Sequence, residues 1–185
     1  TLEQAQALKE AGVTRYNHNL ESSGNFYDHI VTTHTWQDRV DTVKNLKAVG
    51  IQACTGGIMG MGESWCDRID LALSLRELEV DSVPINFLNP REGTPLGNQE
   101  KLTPLEAVKV IAIFRFILPS QILRYAGGRE AVLGDWQQQG LKSGINAMLI
   151  GNYLTTLGQS PEEDHQMLAE LGLQGGETPV NTSIN

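Results

Sequence analysis

Apolar positions recur at helical spacing over residues 2–11, 36–49, 63–78 and 104–118, and short apolar runs of strand length lie between them. The pattern predicts helices over those four segments, with Gly12 and Gly50 stopping the first two. Further helices are predicted over 129–139 and from Ser160-Pro161-Glu162-Glu163 to about residue 171. Strands are predicted over 13–20, 51–59, 80–88, 121–125 and 145–150. Thr103-Pro104 opens the fourth helix with proline at its first position. Each of the five strands has a helix before it, and no hairpin signal joins two of them. The expected sheet is therefore parallel, with right-handed crossovers.

Two α/β architectures fit that alternation: a partial (βα)8 TIM-type barrel of about five C-terminal βα units, or a doubly wound sheet. Polar residues decide between them. Asn17, Asn19 and Glu21, then Cys54, Asn86 and Arg124, fall late in different strands or just beyond them. A barrel gathers function at the C-terminal ends of many strands, whereas a doubly wound sheet concentrates it at one switch point. The barrel is the expected fold. Five strands cannot close an eight-stranded barrel, so three more are expected upstream. The barrel portion is expected to span residues 1–173, with a flexible Gly-, Thr- and Asn-rich tail at 174–185.

Composition narrows the chemistry. The chain has 185 residues and a formal net charge of −8, which argues against binding a nucleic-acid backbone. No apolar run reaches membrane-spanning length. Cys54 and Cys66 are twelve residues apart, which matches no common zinc motif and makes no disulfide framework. They are expected as reduced thiols. The opening Thr1-Leu2-Glu3-Gln4 looks like a helix cap already under way. It is expected to continue from a larger protein.

Several strings carry candidate chemistry. In Tyr16-Asn17-His18-Asn19-Leu20-Glu21, strand alternation sends Asn17, Asn19 and Glu21 to one face. Two amides and a carboxylate offer donors and acceptors suited to a ribose diol or a urea-like ring; a polar layer satisfied by neighbours is the alternative. Arg39 sits near a helix start, where a cation is misplaced unless it meets a ligand carboxylate or pairs with Asp38 or Asp41. The turn Thr55-Gly56-Gly57-Ile58-Met59-Gly60-Met61-Gly62-Glu63 is neither a dinucleotide fingerprint nor a P-loop. Its glycines would let the backbone approach a flat ligand. Cys54 precedes that turn, as either a small core residue or a ligand. Asn86 ends an apolar strand, so its amide needs a partner from the protein or a ligand. Arg124, in a short strand, needs an anion if buried.

These strings, together with Thr32-Thr33-His34-Thr35-Trp36-Gln37-Asp38-Arg39, Gly93-Thr94-Pro95-Leu96, Gly127-Gly128-Arg129-Glu130 and Tyr153-Leu154-Thr155-Thr156, resemble the biotin synthases in the same order. Those are radical S-adenosylmethionine enzymes on a (βα)8 barrel. The resemblance runs from residue 1 to about residue 173. It implies a parent enzyme that inserts sulfur between C6 and C9 of dethiobiotin, using two S-adenosylmethionine molecules. It implies that Asn19 and Glu21 hold the ribose of S-adenosylmethionine, Arg39 its amino-acid end, and Ile58 its adenine. Asn17 and Asn86 match ureido-ring contacts, and Thr155 and Thr156 match positions near the dethiobiotin carboxylate. Cys54 and Arg124 match two of four ligands of an auxiliary [2Fe–2S] cluster. The C-x3-C-x2-C string that holds the family's [4Fe–4S] cluster is not in this sequence, so the chain by itself is expected not to turn over. Lys142-Ser143-Gly144-Ile145-Asn146 also departs from the family's usual Ala-Gly-Ala-Asn-Ser. The resemblance further implies a homodimer, a flavodoxin-type electron donor and a cytoplasmic location. The rival readings are a related radical enzyme of the same branch, a non-catalytic binding remnant, or an inactive truncated product.

Overall fold

A computed structural model of the chain describes residues 1–153 and 157–176. Thr155, Thr156 and positions 177–185 of the expected tail lie outside the described residues. The chain divides into two units, Thr1–Leu149 and Ile150–Asn185.

The first unit runs α1 (Leu2–Glu10), β1 (Arg15–Asn17), α2 (Gly24–Tyr27), α3 (Trp36–Ala48), β2 (Gln52–Cys54), β3 (Gly57–Met59) and α4 (Trp65–Glu77). It continues with β4 (Ser82–Phe87), α5 (Pro104–Ile117), β5 (Ile122–Tyr125) and α6 (Arg129–Leu133). A 3₁₀ turn (Gly134–Trp136), α7 (Gln137–Ser143) and β6 (Ala147–Met148) complete it. The second unit contains α8 (Pro161–Glu170). Helix starts are set by local chemistry. Thr1, Thr35, Ser64, Thr103 and Ser160 each form a reciprocal capping box with the side chain three residues on, satisfying N–H groups that no helical turn can reach.

Several elements differ from the sequence expectation; the strands expected at 13–20 and 145–150 are regular only over Arg15–Asn17 and Ala147–Met148. The strand expected at 51–59 splits at Thr55-Gly56, where a Cβ on Gly56 would lie 2.0 Å from the Pro84 carbonyl oxygen. The helix expected at 129–139 breaks at Gly134. The four-residue α2 was not expected, because one turn is too short to show helical periodicity.

The described strand pairs are all parallel, and the order β1-β2-β4-β5-β6 follows the chain, with β3 paired to β4. A doubly wound sheet would reverse its order at a switch point. The unreversed order is that of a barrel wall, with the crossover helices on one face. Val83, Ile85, Phe87, Leu123 and Tyr125 alternate onto that face and pack with Leu71, Leu75, Val110, Ile111 and Phe114 in the main core. The other face carries the polar residues.

Arg115 ties together the turns that lead into β5 and β6. Its Nε and Nη2 donate to the Gly144 carbonyl at 3.0 and 2.7 Å, and Nη1 donates to the Leu118, Pro119 and Gln121 carbonyls at 2.9, 3.1 and 3.0 Å. Arg115→Met keeps the apolar stem and leaves these carbonyls without their donor. It should lower stability by about 2 kcal/mol in urea titration; an unchanged midpoint would contradict a stabilising role for the clamp.

Candidate functional site

β1 ends at Asn17, and the alternation expected through Glu21 does not persist. The segment stays docked by backbone bonds from His18 N to Cys54 O and from Leu20 N to Gly56 O, at 3.0 and 2.9 Å. Glu21 then adopts a left-handed φ of 68° and bridges to Gly57, with Ile58 N donating to its carbonyl at 2.9 Å. A side chain on Gly57 would strike that same carbonyl, at 2.4 Å. The close approach of two backbones brings the end of the Asn-rich string against the glycine-rich turn.

Asn19, Glu21 and Arg39 meet at this junction. Asn19 Oδ1 accepts from Gly56 N at 3.2 Å. Arg39 Nη1 donates to the Asn19 carbonyl at 3.1 Å and lies 4.0 Å from Glu21 Oε1. It pairs with neither Asp38 nor Asp41; both carboxylates serve local helix contacts instead. Glu21 Oε2 is buried and meets no donor within hydrogen-bond length among the described residues. Burial pushes the Glu21 carboxyl above its usual range, partly offset by Arg39 and Asn19. His18 is held below the ordinary imidazole range by burial, then by Arg39 and His34, and its buried Nε2 has no partner.

The turn beyond Ile58 is held by a residue that spacing alone did not single out. Glu63 accepts from Gly60 N at 2.8 Å and Met61 N at 2.7 Å, while Arg68 Nε donates to it at 2.7 Å. Both side chains are buried. The only trace in the sequence is a carboxylate three residues after Gly60, which could have been read as a turn clamp.

Strand register gathers the remaining candidates. Asn17 lies opposite Cys54, Cys54 opposite Ser82, Pro84 opposite Arg124, and Ile58 opposite Asn86. Alternation puts Asn17, Cys54, Ile58, Asn86 and Arg124 on the sheet face away from the helices. Asn17 Nδ2 donates to the buried Cys54 sulfur at 3.5 Å. Asn86 is engaged at both ends of its amide: Nδ2 donates to Gly57 O at 3.2 Å and Oδ1 accepts from Gly127 N at 3.0 Å. One N–H and one lone pair remain for a ligand. Arg124 is half-buried rather than buried, and its guanidinium has no hydrogen bond or ion pair among the described residues. A buried thiol, and a guanidinium without a partner among the described residues, thus share one sheet face. No group of three or more His, Cys, Asp or Glu side chains suited to a metal occurs among the described residues. Cys66 is exposed, at the start of α4. Among the described residues no helix is long and apolar enough to cross a membrane.

Comparison with known proteins supplies the context. Residues 1–75 match the Radical SAM superfamily, and residues 84–174 match the Biotin and Thiamin Synthesis associated domain. A biotin synthase of Gloeothece citriformis is 78% identical over 180 residues, covering 97% of this chain and 50% of the relative. One of Trichodesmium erythraeum is 75% identical over 183 residues, covering 99% and 50%. The chain thus spans about half the length of the curated relatives it matches. Among solved structures, methylornithine synthase aligns with a TM-score of 0.78 at 19% identity, over 95% of this chain and 56% of that one. HydG, a maturase of the [FeFe]-hydrogenase, aligns with a TM-score of 0.77 at 16% identity, over 94% and 42%. At such low identity, these two establish the barrel-type fold alone.

Proposed function

Because the chain belongs to the biotin synthase family and spans about half of its relatives' length, we propose that it forms the substrate side of an enzyme that inserts sulfur into dethiobiotin. The carrying observation is the strand register that collects Asn17, Cys54, Asn86 and Arg124 on one face. Asn17 and Asn86 would meet the ureido ring, whose donors and acceptors complement amides. Asn19 and Glu21 would take the ribose hydroxyls of S-adenosylmethionine, Arg39 its carboxylate, and Ile58 its adenine. The buried Glu21 oxygen without a partner supports this assignment, since a ribose hydroxyl would satisfy it. Cys54 and Arg124 would hold part of a [2Fe–2S] cluster, which supplies the sulfur atom when bound. A [4Fe–4S] cluster would take its ligands from outside this sequence. Thr155 and Thr156 at the dethiobiotin carboxylate, a homodimer, a flavodoxin-type donor and a cytoplasmic location rest on the family resemblance.

The related radical enzymes share the fold at 16–19% identity, whereas the biotin synthases named above share 75–78%. That contrast favours the sulfur-inserting reading over its rival. In the full-length protein carrying this segment, Asn19→Ala should weaken S-adenosylmethionine binding about tenfold, while Arg124→Ala should leave it within about twofold. Equilibrium dialysis measures both. Unaltered affinity in Asn19→Ala would remove the ribose assignment.

A further inference from the structure

Arg39 has five N–H donors, and the protein uses them unevenly. Nε donates to the Tyr27 phenol oxygen at 2.6 Å, and Nη1 donates to the Asn19 carbonyl at 3.1 Å. Glu21 Oε1, at 4.0 Å, is beyond hydrogen-bond length. Among the described residues, Nη2 and one Nη1 hydrogen have no acceptor. Nη2 with the adjoining Nη1 hydrogen is the edge on which a carboxylate can take two parallel bonds.

Tyr27 decides where that edge points. It is fully buried, its ring centroid lies 5.8 Å from the Arg39 guanidinium carbon, and it is the last residue of α2. The helix is itself anchored. Ser23, its N-cap, donates through its hydroxyl to Asp67 Oδ1 at 2.7 Å, and Trp36 Nε1 donates to the Ser22 carbonyl at 3.1 Å. A phenol oxygen fixed in this way sets the Nε direction and, because guanidinium is planar, the direction of the whole fork.

We infer that Tyr27 is a positioning residue that presents the free edge of Arg39 to the amino-acid carboxylate of S-adenosylmethionine, and so selects ligands that carry that group. The inference rests on the assignment of Arg39 made above. Tyr27 touches no ligand in this scheme; it acts through Arg39 by removing rotational freedom before binding.

The test compares two ligands in the full-length protein: S-adenosylmethionine and methylthioadenosine, which lacks the amino-acid end. Tyr27→Phe preserves the ring and deletes the acceptor. Its affinity for S-adenosylmethionine should fall about five- to tenfold, and its affinity for methylthioadenosine should stay within about twofold. Equal loss for both ligands would mean a packing role, and no loss for either would mean no role; each result overturns the inference. If Tyr27→Phe does not fold, Tyr27→Met, which fills much of the same space without an oxygen, is read in the same way. Arg39→Ala separates the two levels. If it leaves the ratio of the two affinities unchanged, the Arg39 assignment itself fails. If it lowers that ratio while the Tyr27 variants do not, only the role of Tyr27 fails.

Discussion

Replacing Glu63 with alanine should cost about 4 kcal/mol of folding stability. The carboxylate holds two backbone N–H groups of the glycine-rich turn and the Arg68 guanidinium, all at 2.7–2.8 Å and out of solvent. Its removal leaves a buried cation with the Trp65 ring, 4.6 Å from the guanidinium carbon, and the more distant charge of Glu106. It also strands two buried amide donors. The double variant Glu63→Ala/Arg68→Leu removes the uncompensated charge and should recover a large part of the loss. Urea unfolding of the three proteins measures both. A cost below about 1 kcal/mol for Glu63→Ala would show that the pair is not a structural clamp. Because the clamped turn directly follows Ile58, weaker S-adenosylmethionine binding in the full-length protein should accompany the loss if Ile58 takes the adenine as proposed.

Gly128→Ala should cost about 3 kcal/mol and damage the other half of the site. Gly128 has a φ of 83°, and a Cβ there would lie 1.9 Å from the Phe87 carbonyl oxygen and 2.9 Å from its carbon. Backbone cannot yield as a flexible side-chain tip can, so the end of β4 and the start of α6 must separate. The neighbouring bonds, Phe87 N to Gly127 O at 2.9 Å and Gly127 N to Asn86 Oδ1 at 3.0 Å, hold the Asn86 amide in place. On the proposed ureido-ring contact of Asn86, dethiobiotin affinity of the full-length protein should therefore fall more than S-adenosylmethionine affinity. Gly12→Ala is the control. Its φ is 89° but nothing lies within 4 Å of its Cβ, so it should cost only about 1 kcal/mol. Equal costs at the two glycines would mean that backbone strain, not the clash, sets the effect.

Much of the fold was legible because its signals are local. Helix periodicity and Ser or Thr caps placed the starts of α3 and α5 at the expected residues, since a cap acts on N–H groups two or three positions away. Boundaries were lost where distant backbone intervenes. The strand through 51–59 divides where Gly56 lies against the Pro84 carbonyl, and the strand through 13–20 is regular only to Asn17, with Glu21 turning left-handed onto Gly57 beyond it. Neither partner is near in sequence.

The site divides in the same way. The polar residues of the strands were visible as exceptions in apolar runs, and the resemblance to biotin synthases supplied roles for Asn17, Asn19, Glu21, Arg39, Cys54, Asn86 and Arg124. Tyr27, Glu63 and Arg68 were not visible, since a buried tyrosine and a carboxylate beside a glycine look like many others in sequence. By itself the sequence determined a parallel α/β wall with a polar face and the family of the chain, because alternation, capping and motif order are properties of neighbouring residues. Only the tertiary structure decided how Arg39 is aimed, what clamps the glycine-rich turn, and that Asn86 is already half engaged. The aim of Arg39 and the engagement of Asn86 depend on hydrogen bonds between segments that meet only after the chain has folded; the Glu63 clamp is local in sequence, and burial in the folded core is what makes it a clamp.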